Sequence, residues 1–270
     1  MNRLRSPTGK PVTLAATRPN AGLTVRYQKR LDDMIRAMHR SLVFWLTATW
    51  RKKPPALAQD DAAGESAARS LRDEMEGLST RWQSQFDRAA EELAEYFSRA
   101  SFERSDAQLR DILRRGGFTV AFQSSPEIED ALQATIGEQV GLIKSIASQH
   151  LAQVEGMVMR AVSTGGDLGT LTKGLEERYG ITRRRAAFIA RDQVAKSNAV
   201  ITRVRQQELG ITTAKWLHSA GGRHPRPTHV AASGKTYDVE KGMYLDGAWI
   251  RPGELPGCRC VSRSVIPGFD

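Results

Sequence analysis

WLHSAGGRHPRPTH (Trp216–His229), SGKTYD (Ser233–Asp238) and PGELPGCRC (Pro252–Cys260) are the pieces of sequence that decide the fold. Glycine and proline punctuate all three, and no apolar stripe at helical spacing runs through them, so short strands joined by turns are expected. The only two cysteines of the chain, Cys258 and Cys260, stand here one residue apart. Three of its five histidines, His218, His224 and His229, stand here too. Rare, chemically special residues therefore collect in one terminal module. N-terminal to Gly210 the pattern changes to helical periodicity. The expected fold class is α+β, with a mainly helical N-terminal part and a small β-rich C-terminal module.

Working back from Gly210, Thr182 is read as the cap of a helix running to about Leu209, and Gly180 as the end of a preceding helix over Leu168–Tyr179. Asp167, after Thr164-Gly165-Gly166, is placed to cap that earlier helix. Ser125-Pro126-Glu127 opens a long helix, with proline in its first turn. Its stripe is Leu132, Ile136, Val140, Ile143, Ala147, Leu151, Val154 and Val158. Phe118–Phe122 suggests a short strand, and residues 106–114 a short helix ended by Gly116-Gly117. From Ser66 to about Arg99 the stripe is Leu71, Met75, Leu78, Trp82, Phe86, Ala89 or Ala90, and Leu93. Residues 56–65 are a soft linker after Pro54-Pro55. From Thr24 to Trp50 a helix carries Leu31, Ile35, Met38, Leu42 and Trp45. Residues 1–22 hold three prolines, two glycines and few large apolar groups, and are expected to be unstructured or draped over a partner. The domains expected are a basic flexible arm (1–22), a helical region (23–125) and a third region (126–270) that is helical to about 210 and β-rich beyond.

Charge is unevenly spread. The net charge is +10. Residues 1–55 hold twelve Lys and Arg against two acids, Asp32 and Asp33, while the rest is balanced at 28 of each sign. A basic N-terminal stretch suits a phosphate backbone or an acidic protein surface; the plainer reading is a solvated tail. The 183–209 helix bears Arg183, Arg184, Arg185, Arg191, Lys196, Arg203 and Arg205. That is a face for DNA or a solvated face, with Phe188, Val194 and Val204 on the core side. No apolar run reaches the length of a membrane span, and no secretion signal is read at the N-terminus. Two cysteines make no disulfide framework, which fits reduced thiols in a cytosolic setting.

His224, His229, Cys258 and Cys260 are candidate zinc ligands, since zinc takes four nitrogen or sulfur donors in a tetrahedron. Against this, Cys-X-Cys is an unusual ligand pair, and small buried thiols with loop-anchoring histidines need no metal. A third reading makes Cys258 a nucleophile with His229 as base, Arg259 lowering the thiol pKa, and Asp238 or Asp246 orienting the imidazole. No phosphate loop, dinucleotide fingerprint or catalytic carboxylate pair is present.

Ile189-Ala190-Arg191-Asp192, Gly210-Ile211 with Lys215-Trp216, Arg223 to His229, Gly234, Pro252-Gly253 and Gly257-Cys258-Arg259-Cys260 occur in an order that resembles the phage Mu protein F-like family. The resemblance covers about residues 130–265. It implies a minor head, or head-morphogenesis, protein of a tailed phage and not an enzyme. It also implies a place in the virion near the portal, reached from the host cytoplasm during assembly, and roles in procapsid assembly and genome packaging or delivery. Implied partners are the portal and major capsid protein, with packaged double-stranded DNA on the basic arm and no membrane. Arg191, Trp216, Arg226, His229, Gly234, Cys258, Arg259 and Cys260 then become fold and interface residues. No cofactor is implied. The alternatives are a zinc-stabilised nucleic-acid-binding module and a toxin- or transferase-type enzyme. The catalytic Arg, Ser-Thr-Ser and Glu-X-Glu set of the ADP-ribosyltransferases is absent from the sequence.

Overall fold

The computed structural model describes residues 9–55, 66–165, 167–222 and 224–268. The linker at 56–65, most of the N-terminal arm's first nine residues and Arg223 of the quoted loop lie outside that set. The chain forms two compact units. One comprises residues 25–95 and 137–190, and the other residues 1–24, 96–136 and 191–270. The α+β class holds, with long helices and a small C-terminal set of strands.

The first of these units is helical. It takes most of α1 (Ala21–Lys52), the first part of α2 (Ala67–Arg115), and stretches of α3 (Pro126–Ser163) and α4 (Leu168–Glu208). Leu31, Ile35, Met38 and Leu42 of α1 are fully buried, as their spacing predicts. The stripe continues through Leu46 and Trp50, and Trp45 is 43% exposed. A 3.6-residue period carried on from Leu42 arrives at Leu46, so the larger aromatic at 45 falls off the face. Asp167 caps α4 as expected, accepting the Thr170 N–H at 2.9 Å. Gly180 does not end that helix. A mid-helix glycine costs ~1 kcal/mol. Leu171, Leu175, Thr182 and Ala186, all buried on either side of it, outweigh that cost. Thr182 is consequently a mid-helix residue. Its hydroxyl donates to the Arg178 carbonyl at 3.0 Å and meets His150 Nδ1 at 2.8 Å.

The basic residues of the N-terminal stretch mostly lie on α1. Arg26, Lys29, Arg30, Arg36, Arg40, Arg51 and Lys52 are exposed there. Within the same unit Arg183 is committed to buried Asp32 at 3.1 Å and lies over the Tyr179 ring, which stacks on His39 at 4.3 Å.

The other unit holds the sheet. Its order is β1-β6-β2-β3, all antiparallel, from Gly9–Thr13 (β1), Thr213–Leu217 (β2), Thr236–Asp238 (β3) and Val261–Gly268 (β6). From Gly9 onward, strand β1 corrects the reading of an unstructured arm. Val12 pairs with Ile266 and Thr13 with Val265, Leu14 is buried, and the buried Thr17 hydroxyl meets that of Thr202 at 2.6 Å. Between β3 and β6, β4 (Met243–Leu245) and β5 (Ala248–Ile250) form a separate hairpin. Asp246 and Gly247, at φ 54° and 83°, supply the two left-handed residues that such a two-residue turn needs.

Two more readings change in this unit. Helix α2 continues through residues 100–105 to Arg115, because Phe102, Ser101 and Ser105 are buried and no breaker intervenes. Phe118–Phe122 is not a strand. Phe118, Val120 and Phe122 do alternate inward, onto a cluster of Leu14, Leu109, Leu113, Ile211 and Ile266, but their backbone pairs with no strand among the described residues. Arg205 of α4 holds that segment instead. It is buried, lies over the Phe122 ring at 4.7 Å, donates to the Gln123 carbonyl at 2.7 Å, and pairs with Asp106 at 2.6 Å and Glu208 at 2.7 Å. Phe188, expected on the core side of α4, is 43% exposed.

Two outcomes follow from these buried groups. Arg205→Met leaves Asp106 and Glu208 without their shared cation, and should lower stability by ~3 kcal/mol in urea titration. Burial, with the charges of His39 and Arg178, pushes the His150 pKa down from 6.5 to about 4. Between those values the unfolded chain binds more protons than the folded one. Stability should therefore fall as pH drops through that window, by ~3 kcal/mol in all, and recover above it. His150→Gln should flatten this slope. The same slope in both proteins would show that another group causes it.

Candidate functional site

The module that follows α4 is built around Trp216. Its position on β2 turns the indole inward, fully buried, edge-on to His229 at 5.0 Å and to Tyr237 at 6.1 Å. Around it pack Ala214, Ala232, Val239, Ile250, Cys258 and Cys260. Burial pushes the Tyr237 pKa up to about 12, so its hydroxyl stays protonated, and it meets the Ser262 hydroxyl at 2.6 Å.

Local chemistry explains each placement. The short helix α5 (Pro227–Ala231) opens with proline at its first turn, which suits a fixed φ. Thr228 ties it to Asp246 at 2.8 Å, and Arg226 reaches the Pro256 carbonyl at 3.0 Å. His229, on that helix, is buried. Gly234, at φ 84°, turns the chain back so that its N–H donates to the Trp216 carbonyl at 2.8 Å. Arg259 is exposed and donates to the Gly221 carbonyl. Arg191 is exposed, but its neighbour Asp192 is buried and accepts the Gly257 N–H at 2.6 Å. Lys196 stands 3.6 Å from the same carboxylate. Gly253, at φ 85°, is buried beside Ala199, whose methyl would lie 2.7 Å from an added Cβ. The loop before the cysteines thus lies directly on α4.

Of the four candidate metal ligands, the fold brings three together. The donor atoms of His229, Cys258 and Cys260 all lie within 4.8 Å of one another, and all three residues are buried. His229 Nδ1 stands 3.4 Å from the Cys258 sulfur and 3.6 Å from that of Cys260. His224 is exposed and does not join them. In its place His218, at the end of β2, turns Nδ1 to within 3.6 Å of the Cys260 sulfur. The sequence signal for His218 was its strand: it follows Trp216 by two residues, which puts the two side chains on the same face. Asp192 was quoted in the sequence motif without a role, and its link to Gly257 has no signature in either segment alone.

The sulfurs form no disulfide and interact with each other. A hydrogen bond from the Cys260 thiol favours the Cys258 thiolate and lowers its pKa, while Cys260 is raised by that bond and by burial. The N–H groups of Cys260 and Gly253 point at the Cys258 sulfur, and that of Ser219 at the Cys260 sulfur. The site can hold one negative charge readily and a second only beside a cation. The nucleophile arrangement lacks its third member. Asp246 is engaged by Thr228, Asp238 by the N–H groups of Glu240 and Lys241, and His229 Nε2 has no hydrogen-bond partner among the described residues.

Asp192→Ala should lower stability by ~2 kcal/mol in denaturant titration, the worth of a charged hydrogen bond in a buried setting. Asp192→Asn, which keeps an acceptor, should cost clearly less. Equal losses would show that the Gly257 contact contributes nothing.

A protein of Haemophilus influenzae, itself uncharacterised, is 33% identical over 144 residues, which are 53% of this chain and 31% of that protein. The chain thus spans about a third of the length of the curated relative it matches. No solved structure matches. Residues 152–263 match the family model described as phage Mu protein F like protein, and that family points to phage head morphogenesis. They take in α4, strands β2 to β5 and the His–Cys cluster, so over this region the chain is similar to the phage Mu protein F-like family.

Proposed function

We propose that the protein is a minor structural component of a tailed-phage head, positioned at the portal and capsid interior, where it serves procapsid assembly and genome packaging or delivery. The observation that carries this reading is the family match across residues 152–263. The character of the module supports a structural role. Its nucleophile candidates are buried beside Trp216, His229 has no orienting carboxylate among the described residues, and the motif residues Arg226, Gly234 and Arg259 serve loop geometry.

Portal, major capsid protein and packaged DNA are the proposed partners. Helix α1 supports an acidic partner. It exposes Arg26, Lys29, Arg30, Arg36 and Arg40, with Asp33 as the acid among them, 3.5 Å from Arg36. A basic surface of this kind attracts phosphate backbones without regard to sequence and weakens as salt rises.

Mass spectrometry of purified procapsids and mature heads should find the chain at low copy number, and its absence from both would overturn the reading. Arg26→Glu with Lys29→Glu and Arg30→Glu should weaken binding to double-stranded DNA tenfold or more at low salt, with a shallower salt dependence. Unchanged binding would assign these charges to solubility alone.

A further inference from the structure

We propose that His218, His229, Cys258 and Cys260 bind one zinc ion as a structural clasp. This goes beyond the head-protein reading and does not depend on it.

Three converging donors, with His218 beside one of them, stand at spacings that fit a tetrahedral site. With zinc–sulfur at ~2.3 Å and zinc–nitrogen at ~2.0–2.1 Å, the sulfur-to-nitrogen edge of a tetrahedron is about 3.6 Å. The observed edges are 3.4 Å and 3.6 Å from His229 Nδ1, and 3.6 Å from His218 Nδ1 to Cys260. His229 turns one ring nitrogen, Nδ1, toward both sulfurs at once, as donors around a shared ion would stand. His218 is partly exposed and stands beside one sulfur, and its side chain would turn toward the other two donors to complete the set.

Surroundings and donor chemistry agree. Backbone N–H groups aimed at both sulfurs stabilise thiolate charge as outer partners of metal-bound sulfur do. Two thiolates with two imidazoles suit zinc among the common divalent ions. The four residues come from the end of β2, from α5 and from the loop before β6. One ion therefore joins three pieces that otherwise meet through loops, so it closes the module without any open position for catalysis.

The test uses the full chain, expressed in zinc-supplemented medium and measured by elemental analysis. One zinc per chain is expected, and chelator should lower the melting temperature by about 5 °C or more. Cobalt added to the stripped protein should give the visible bands of a tetrahedral thiolate site, a readout that needs no variant. His224→Ala should keep full metal content, and His218→Ala should weaken metal binding tenfold or more. Cysteine variants that fail to fold leave the cobalt and chelator readouts standing. Less than a tenth of an equivalent of zinc, with no cobalt spectrum and melting unchanged by chelator, would overturn the clasp in favour of a dry hydrogen-bonded cluster. A Cys258–Cys260 disulfide found by mass spectrometry in the freshly isolated protein would overturn it too. Both results leave the head-protein reading untouched, just as absence from heads leaves the clasp untouched.

Discussion

The carboxylate of Asp192 fixes the C-terminal module to the helix that precedes it. It is buried on α4 and takes the Gly257 N–H at 2.6 Å, one residue before Cys258. A buried carboxylate must find donors, and a tight turn whose N–H groups point outward is a natural one. Gly253 then comes to rest beside Ala199, two turns further along the same face. Toward its C-terminal end the same helix sends Gln206 to the hydroxyls of Ser262 and Ser264 at 3.0 Å and 2.8 Å. The loop, the last strand and the His–Cys cluster are thus all referenced to one helix.

Charge in the sequence and charge on the surface are different quantities in this chain. The arginines of α4 read as one basic face, yet Arg205 is a buried crosslink, Arg183 is spent on Asp32, and Lys196 stands beside Asp192. The basic residues of α1 remain at the surface because its inward stripe is filled by Leu31, Ile35, Met38 and Leu42, leaving the opposite face to Arg and Lys. Electrostatic arguments about a partner therefore rest on α1.

Features fixed by local spacing were legible in the sequence. Helical stripes, the helix start at Ser125-Pro126, the Asp167 cap, the stop at Gly210 and the change to short strands follow from side-chain period and backbone preference. His229, Cys258 and Cys260 could be grouped because each is rare and each sits in the same turn-rich module. Features fixed by long-range packing were not legible. Gly180 and residues 100–105 stay helical because buried neighbours on both sides outweigh local preference. His224 looked as good a ligand as His218, since both are histidines in the same stretch. Only strand geometry, which sends Trp216 and His218 to one side, separates them. Strand β1 was missed because its partner lies at the far end of the chain, and a glycine- and proline-marked segment with few apolar residues gives no local sign of pairing.

That last pairing bears on how the molecule is made. In the sheet β6 is an interior strand, flanked by β1 from the first residues described and β2 from much later. Every residue of the helical unit precedes β2 in sequence, so that unit is fully synthesised before the sheet can close. During translation β1 waits without its ladder partner for almost the whole length of the chain, and pairings this distant close slowly. A nascent chain arrested short of Val261 would hold complete helices and an unpaired first strand, an edge open to pairing with other chains.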